Sequence, residues 1–212
     1  MDQLILHEDP ISGNCYKIQL TASLLGLPLI RRPYDIWKGE TRTPEFLTNI
    51  NPFGQIPVLQ VGKDTFIPES GAACFFLADG DDHKGRLIPE DQLVRAEMLR
   101  WMFFEQNQHE TSVAVLRSWT RFTGLGNLSE VQKVRLTGLR RQGERALTCM
   151  EAHMQGREWF VGKKISLADI VLFAYTQIAH EGGFEMGKYP ALKLWIARVK
   201  SVDGFVKMDG VD

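Results

Sequence analysis

The stretch Asn-Pro-Phe-Gly-Gln-Ile-Pro-Val-Leu at residues 51–59 places a proline inside an apolar run. Proline has no N–H to donate to a neighbouring strand, so Pro57 must begin a strand or lie at a sheet edge. If the Ile56–Pro57 bond is cis, the backbone of Ile56 turns outward, where its N–H and C=O can pair with an extended peptide. Residues 51–57, called the proline loop below, therefore predict a peptide-binding edge.

About ten residues further on, Glu69 and Ser70 open a helical pattern that continues through residues 71–78. This places a hydroxyl, backbone N–H groups and a carboxylate at one helix N-terminus, where the carboxylate of a ligand is favoured. A ligand that carries both an α-carboxylate and an ammonium would use all of these groups. Together the two stretches predict a site for a small peptide.

The elements that must position these residues alternate between strand and helix signals. A short buried strand at 4–6 leads through a turn into a helix that ends at Gly26, and a second strand follows at 29–34. A strand–helix–strand unit of this length favours parallel pairing with a right-handed crossover. The pattern over residues 1–79 is β-α-β-α-β-β-α, the order of a thioredoxin-like domain, with a β-hairpin after the proline loop.

The second half of the chain has helical spacing alone. Residues 80–89 are rich in Asp and Gly and predict a linker, and residues 90–212 predict an all-helical domain. One long helical pattern covers about 92–121. Ser166 and Asp169 have capping-box spacing ahead of an apolar run, so we expect Asp169 to have a folding role.

Composition excludes several function classes. Lys and Arg total 25 against 26 for Asp and Glu, so the charge indicates no nucleic-acid partner. No apolar run approaches the roughly 20 residues that span a bilayer, and the amino terminus does not resemble a secretory signal. Three cysteines without a CxxC motif fit a reducing cytoplasm, and the five histidines lack metal-ligand spacing, so no metal is expected.

The proline loop and the Glu69-Ser70 pair are similar to those of cytosolic glutathione S-transferases, in particular the bacterial-type, theta-like, zeta-like and nu-like branches. The order and spacing of further segments extend the resemblance over nearly the whole chain. These segments are Trp37–Glu40, Thr43–Leu47, Phe160–Gly162, Ile165–Ile170, Tyr189–Leu192 and Trp195.

This resemblance implies an enzyme that stabilises the thiolate of glutathione with a donor near the start of the first helix. Ser12 occupies the position of the theta-like and zeta-like serine. Asn14 is the second candidate, because nu-like members use a Thr-x-Asn arrangement in which both side chains reach the sulfur. Cys15 is third, one place away from the cysteine of beta-like members. Helix capping is the alternative explanation for Ser12 and Asn14.

The resemblance also implies the remaining contacts. The backbone of Ile56, which precedes the cis Pro57, would hold the cysteinyl unit. Glu69 and Ser70 would hold the γ-glutamyl group. Arg42 and Gln55 are candidates for the glycyl carboxylate. The second-substrate pocket would be lined from the long helix. Its candidates are Trp101, Phe104, Gln108 and His109, for which the alternative is a place in the core.

The function implied is conjugation of the glutathione thiolate to an apolar electrophile by a cytoplasmic homodimer, with glutathione as co-substrate and no nucleic-acid or membrane partner. Two alternatives stay open. One is a nu-like disulfide-bond oxidoreductase that depends on Ser12 and Asn14 together. The other is a non-enzymatic interaction protein with the same fold.

Overall fold

The computed structural model of the chain describes residues 2–83 and 85–211. It consists of two compact units. The N-terminal unit contains the residues up to Ile88 together with the segment from Asp203, and the helical unit runs from Pro89 to Val202. The sequence predicts a helical domain that extends over residues 90–212 and so includes the chain after residue 202. The structure instead groups this segment, the C-terminal tail, with the N-terminal unit.

The C-terminal tail joins the N-terminal unit through hydrogen bonds to the first helix and the second strand. The Tyr16 hydroxyl donates to the Val206 carbonyl oxygen at 2.7 Å. The Ser23 hydroxyl donates to the Gly204 carbonyl oxygen at 2.7 Å, and Arg31 donates to the Asp209 carboxylate at 2.6 Å. These partners lie far apart in sequence, which is why helical spacing alone did not indicate the contact.

A four-stranded sheet with the order β2-β1-β3-β4 forms the centre of the N-terminal unit. Strand β1 pairs parallel with β2 and antiparallel with β3, and β3 pairs antiparallel with β4. This mixed sheet with three helices confirms the thioredoxin-like prediction. The elements in chain order are β1 Leu4–Glu8, α1 Gly13–Leu25, β2 Ile30–Pro33, α2 Pro44–Asn49, β3 Val58–Val61, β4 Thr65–Pro68 and α3 Ser70–Ala78.

Helix α1 has clear signals at both ends. Ser12 caps its start, and Gly26 ends it in the left-handed conformation at φ 72°, which glycine adopts without a steric cost. Strand β1 is buried along its whole length. Strand β2 contains Pro33 and lies at the sheet edge, as expected of a strand that contains proline.

The helical unit is built around aromatic side chains. Trp101, Phe160 and Trp195 are almost completely buried and pack edge to face, with ring centroids 4.8 and 4.9 Å apart for the two successive pairs. The α-helices of the helical unit are α4 Gln92–Phe104, α5 Glu110–Arg117, α6 Glu130–Met154, α7 Leu167–Thr176 and α8 Pro190–Lys200.

In the described part of the chain, no helix combines the length and the apolar character that a membrane span needs.

The single long helical pattern predicted over 92–121 is interrupted in the structure. π-Helical turns at Glu105–His109 and Ser118–Thr123 follow α4 and α5. A π-turn holds more residues than an α-helical turn, so each one shifts the face on which later side chains lie. A prediction that assumes a constant 3.6-residue period therefore loses the helix phase here.

Candidate functional site

The register of the sheet brings the predicted chemical residues to one end of the N-terminal unit. His7, near the end of β1, pairs with Val58 at the start of β3, and Val58 pairs with Pro68 at the end of β4. The loop after β1, the proline loop and the start of α3 therefore all leave the sheet at the same end. The candidate site is this end of the sheet.

The Ile56–Pro57 bond is cis, as the sequence analysis anticipated. Pro57 is buried and lies one residue before β3, an inner strand, so its missing N–H removes no ladder hydrogen bond. The β1–β3 ladder begins at Val58, which leaves Ile56 outside it. The backbone of Ile56 is thus placed ahead of the paired strand.

Asn51 organises the proline loop, a role that the sequence analysis missed. It is 3% exposed, its Oδ1 accepts from the Phe53 N–H at 3.1 Å, and its Nδ2 donates to the Gln55 carbonyl oxygen at 2.9 Å. The first contact is an Asx-turn, for which Asn followed by Pro-x-Gly was an available signal. Asn51 therefore fixes the backbone that leads into Ile56.

Arg42 supports the same loop from outside. Its Nη1 donates to the Phe53 carbonyl oxygen at 2.8 Å, and it lies directly against Gly54, which has a left-handed φ of 62°. A Cβ at residue 54 would meet Arg42 Nη1 at 2.8 Å, so glycine is required for this close approach. Gln55 has an exposed side chain. The assignment of Arg42 and Gln55 to a glycyl carboxylate stays a prediction.

Helix α3 begins at Ser70, which is 5% exposed, directly after Glu69. Glu69 is exposed and has a left-handed φ of 67°, the only positive φ among the non-glycine residues described. That backbone conformation is strained for a residue with a Cβ, and such residues cluster at binding sites. The strained position presents the Glu69 carboxylate beside the N-terminus of α3.

Ser12 caps α1 loosely. Its Oγ accepts from the Cys15 N–H at 3.5 Å, at the long limit of a hydrogen bond, and the residue is only half-buried. Because Oγ acts as an acceptor in this bond, the rotatable hydroxyl hydrogen can turn either to the neighbouring Cys15 thiol or to a ligand. The Ser12 hydroxyl therefore combines a capping role with the ability to donate to a ligand at the start of the helix.

Cys15 is inert in this environment. Its side chain is fully buried, and burial raises the pKa of its thiol to about 12, with smaller contributions in the same direction from Glu8 and Asp9. Hydrogen bonds from Ser12 and from the Asp9 N–H act in the opposite direction but do not offset burial. Cys15, the third candidate for the chemical role, is thereby excluded as a thiolate at neutral pH.

Asn14 lies on the first turn of α1, half-buried, and its Oδ1 accepts from Lys17 Nζ at 2.7 Å. Lys17 is fully buried. The structure therefore brings Ser12 and Asn14 together at one helix start, with an ammonium group immediately behind the Asn14 amide.

Two of the four residues predicted to line a second-substrate pocket belong to the core of the helical unit. Trp101 is 1% exposed and packs edge to face against Phe104 and Phe160, while His109 is 0% exposed with Nε2 3.0 Å from the Thr176 hydroxyl. The prediction for Trp101 and His109 is thus corrected. Trp101 packs on Phe160, which lies far along the chain, and His109 ends a π-turn that shifts the helix phase. Phe104 is half-buried and Gln108 is exposed.

Among the residues described, no cluster of three or more His, Cys, Asp or Glu side chains could hold a metal ion.

The sequence matches the family profile for the glutathione S-transferase N-terminal domain over residues 11–79 and that for the C-terminal domain over residues 119–203. The chain belongs to the glutathione S-transferase family. A crystal structure of a glutathione S-transferase from Pseudomonas fluorescens is 40% identical, with a TM-score of 0.87 over 97% of this chain and 98% of that one.

Two further proteins are more distantly similar to this chain. The Fusarium protein named glutathione S-transferase-like protein LUC7 is 28% identical over 192 residues, which cover 88% of this chain and 84% of that protein. The glutathione transferase URE2P8 from Phanerochaete chrysosporium, solved with oxidized glutathione, is 22% identical with a TM-score of 0.83 over 96% of this chain and 92% of that one. The last similarity supports the fold alone.

Proposed function

We propose that this protein is a glutathione transferase that holds glutathione at the site end of its N-terminal sheet and transfers the thiolate to an apolar electrophile. The observation that carries the proposal is the register of the sheet, in which His7 pairs with Val58 and Val58 pairs with Pro68. This register brings the start of α1, the proline loop and the start of α3 to one end of the sheet. Membership of the transferase family supplies independent support.

The three parts of the site match three parts of the tripeptide. The backbone of Ile56, outside the β1–β3 ladder, would pair with the cysteinyl unit as an added strand. At the start of α3, Ser70 and the helix N-terminus suit the γ-glutamyl carboxylate, and the Glu69 carboxylate suits its ammonium. Gln55 on the proline loop and Arg42 beside that loop are exposed donors that suit the glycyl carboxylate.

Ser12 is the proposed thiolate donor, with Asn14 beside it. A free cysteine thiol has a pKa of about 8.5, so most of it is protonated at neutral pH, and only the thiolate attacks. A hydroxyl donor at the positive end of α1 favours the charged form. The attack forms a sulfur–carbon bond, and the electrophile's leaving group departs with the bonding electron pair.

The first test is a glutathione titration near pH 7 that follows the ultraviolet absorbance of bound thiolate. We expect a saturable signal that Ser12→Ala abolishes, and a fall in kcat/KM of about 10²-fold. Asn14→Ala should give a smaller loss, about tenfold. The matched control is Ser23→Ala, which removes a hydroxyl from the last turns of the same helix, where Ser23 donates to Gly204. An unaltered rate in Ser12→Ala would transfer the donor role to Asn14.

A disulfide-bond oxidoreductase is the second candidate function. It is favoured by the pairing of Ser12 and Asn14 at one helix start, because two donors can act on the two sulfur atoms of a disulfide. Reduction of a small symmetric disulfide by glutathione, measured beside conjugation of an aromatic chloride, separates the two reactions. Loss of disulfide reduction in both Ser12→Ala and Asn14→Ala, with little conjugation in the unsubstituted protein, would favour the oxidoreductase.

A homodimer is also proposed, with Phe53 at the interface. This side chain is 73% exposed at the tip of the proline loop. Light scattering should give twice the chain mass for the unsubstituted protein and a smaller apparent mass for Phe53→Ser. A protein that binds neither glutathione nor its disulfide would instead be a non-enzymatic member of the family.

A further inference from the structure

Lys17 is an unusual residue for its position. It has 0% exposure and is the only charged residue in α1, whose sequence is GNCYKIQLTASLL. A buried ammonium is costly unless other groups solvate it, and a cation near a helix N-terminus is opposed by the helix dipole. One group that solvates the Lys17 ammonium is the side chain of Asn14, three residues earlier on the same helix.

The contact between Lys17 and Asn14 determines the orientation of the Asn14 amide. Lys17 Nζ lies 2.7 Å from Asn14 Oδ1, and an ammonium group can only donate hydrogen bonds. The atom that faces Lys17 must therefore be the amide oxygen. The NH₂ group, which carries both donor hydrogens, then points in the opposite direction across the planar amide.

The other charges around the start of α1 oppose an anion. Glu8 and Asp9, at the end of β1 and in the loop after it, both raise the pKa of the neighbouring Cys15 thiol, in addition to the larger effect of burial. Arg31 on β2 lies between Glu8 and Asp209 of the C-terminal tail, at 2.6 Å from each carboxylate. Two carboxylates thus share the positive charge of Arg31.

We propose that Lys17 is a positioning residue for the thiolate of bound glutathione, which holds the Asn14 amide with its NH₂ group directed at the sulfur. The inference rests on the proposed function, since it concerns how that site activates the thiol. The ammonium also polarises the amide, which makes its N–H groups stronger donors, because hydrogen bonds in a chain reinforce one another.

The test compares the bound thiol in the unsubstituted protein, Lys17→Met and Asn14→Ala, by thiolate absorbance as a function of pH at saturating glutathione. Lys17→Met keeps an unbranched apolar side chain in the buried space. We expect it to raise the apparent pKa of the bound thiol by about one unit, so that kcat/KM falls about tenfold at low pH and approaches the unsubstituted value at high pH.

The double variant distinguishes positioning from a purely structural role. If Lys17 acts through Asn14, then Lys17→Met should cause little further loss in the Asn14→Ala background. The matched structural control is Thr21→Val, one helical turn later, which removes a buried hydroxyl that donates to the Lys17 carbonyl oxygen at 2.8 Å. We expect Thr21→Val to lower the thermal stability without shifting the thiol pKa.

The outcomes separate this inference from the function on which it rests. A normal thiolate signal whose pH profile is unchanged by Lys17→Met, or additive losses in the double variant, would overturn the role of Lys17 alone. No thiolate signal in the unsubstituted protein would overturn the proposed function and this inference with it. Should Lys17→Met fail to fold, Lys17→Gln replaces it, and an unshifted profile in that uncharged variant would also reject the proposal.

Discussion

Helices α1 and α7 are both capped by a serine, and the two serines have different environments. Ser166 at the start of α7 is 2% exposed, and the carboxylate of Asp169 three residues later accepts from both its N–H, at 2.9 Å, and its hydroxyl, at 3.0 Å. Ser12 at the start of α1 is half-buried, and the residue three positions later is Cys15, whose N–H reaches the Ser12 hydroxyl only at 3.5 Å.

The difference shows what turns a capping serine into a candidate for chemistry. In α7 an acidic residue at the third helical position closes a buried capping box, so the hydroxyl is committed to the fold. In α1 a buried thiol takes that position, and no carboxylate binds the hydroxyl from within the helix. The residue type is the same, and the third residue decides between a folding role and a ligand contact.

The largest expected effect comes from removal of the Asp169 carboxylate from the buried capping box of α7. Besides its two bonds to Ser166, Asp169 accepts from the Phe160 N–H and from Trp195 Nε1, both at 3.0 Å. Asp169→Ala leaves these donors buried without a partner, at about 1 kcal/mol or more each, so we expect a loss of at least about 4 kcal/mol in the free energy of unfolding. Urea denaturation measures this loss.

A matched control exists at the exposed capping box of α6, where Gln132 is the corresponding residue. Gln132→Ala should cost about 1 kcal/mol or less. Equal losses for Asp169→Ala and Gln132→Ala would remove the distinction between buried and exposed boxes.

The second prediction sets Ser12→Ala against Ser166→Ala. We expect Ser12→Ala to lower the free energy of unfolding by no more than about 1 kcal/mol while thiolate formation is lost, because its cap bond is long. Ser166→Ala should do the opposite, with a stability loss of about 2 kcal/mol and an unchanged bound thiolate. Urea denaturation and thiolate absorbance are measured on both variants. If both substitutions affect the same property, stability or thiolate formation, the prediction is wrong.

The third prediction concerns the thiol at the third position of α1. Since burial raises the pKa of Cys15 to about 12, this thiol stays protonated at neutral pH. Cys74 is also buried, whereas Cys149 is exposed. Brief alkylation of the native protein should therefore label Cys149, and alkylation in denaturant should label all three, as peptide mass spectrometry can measure. Rapid native labelling of Cys15 would restore it as a nucleophile.

The smallest expected effect concerns His7, at the site end of β1. Burial lowers the pKa of this histidine, whose ring nitrogens lie 2.9 Å from the Tyr34 hydroxyl and 2.9 Å from Gln60 Oε1. The unfolded chain therefore binds a proton more readily than the folded chain. The stability that neutral His7 contributes is complete above about pH 6.5 and is lost as the pH falls below that value.

Burial lowers the pKa of His153 in the helical unit as well, so both histidines make the protein less stable in mild acid. His7→Phe should reduce the slope of unfolding free energy between about pH 7 and pH 5. Replacement of the exposed His180 by Gln is the control for the loss of a histidine as such. Denaturant titrations at several pH values measure it, and an unchanged slope in His7→Phe would contradict the prediction.

Much of the candidate site could be predicted because its signals are local. The place of Pro57 before a strand, the start of α3 at Ser70 and the cap at Ser12 each depend on a few neighbouring residues. The burial of Trp101 and of His109 could not be predicted. The ring of Trp101 packs on Phe160, which is distant in sequence, and His109 ends a π-turn that changes the helix phase.

The sequence by itself determined the order of strands and helices, the capping box at Ser166 and the two short segments that make up the peptide site. These features depend on backbone hydrogen bonding and steric preferences over three or four residues. The tertiary structure alone decided that Cys15 is inert, that Asn14 faces a buried Lys17 and that the C-terminal tail joins the N-terminal unit. Burial and long-range hydrogen bonds depend on which distant segments pack together, and that information is absent from any local window of the chain.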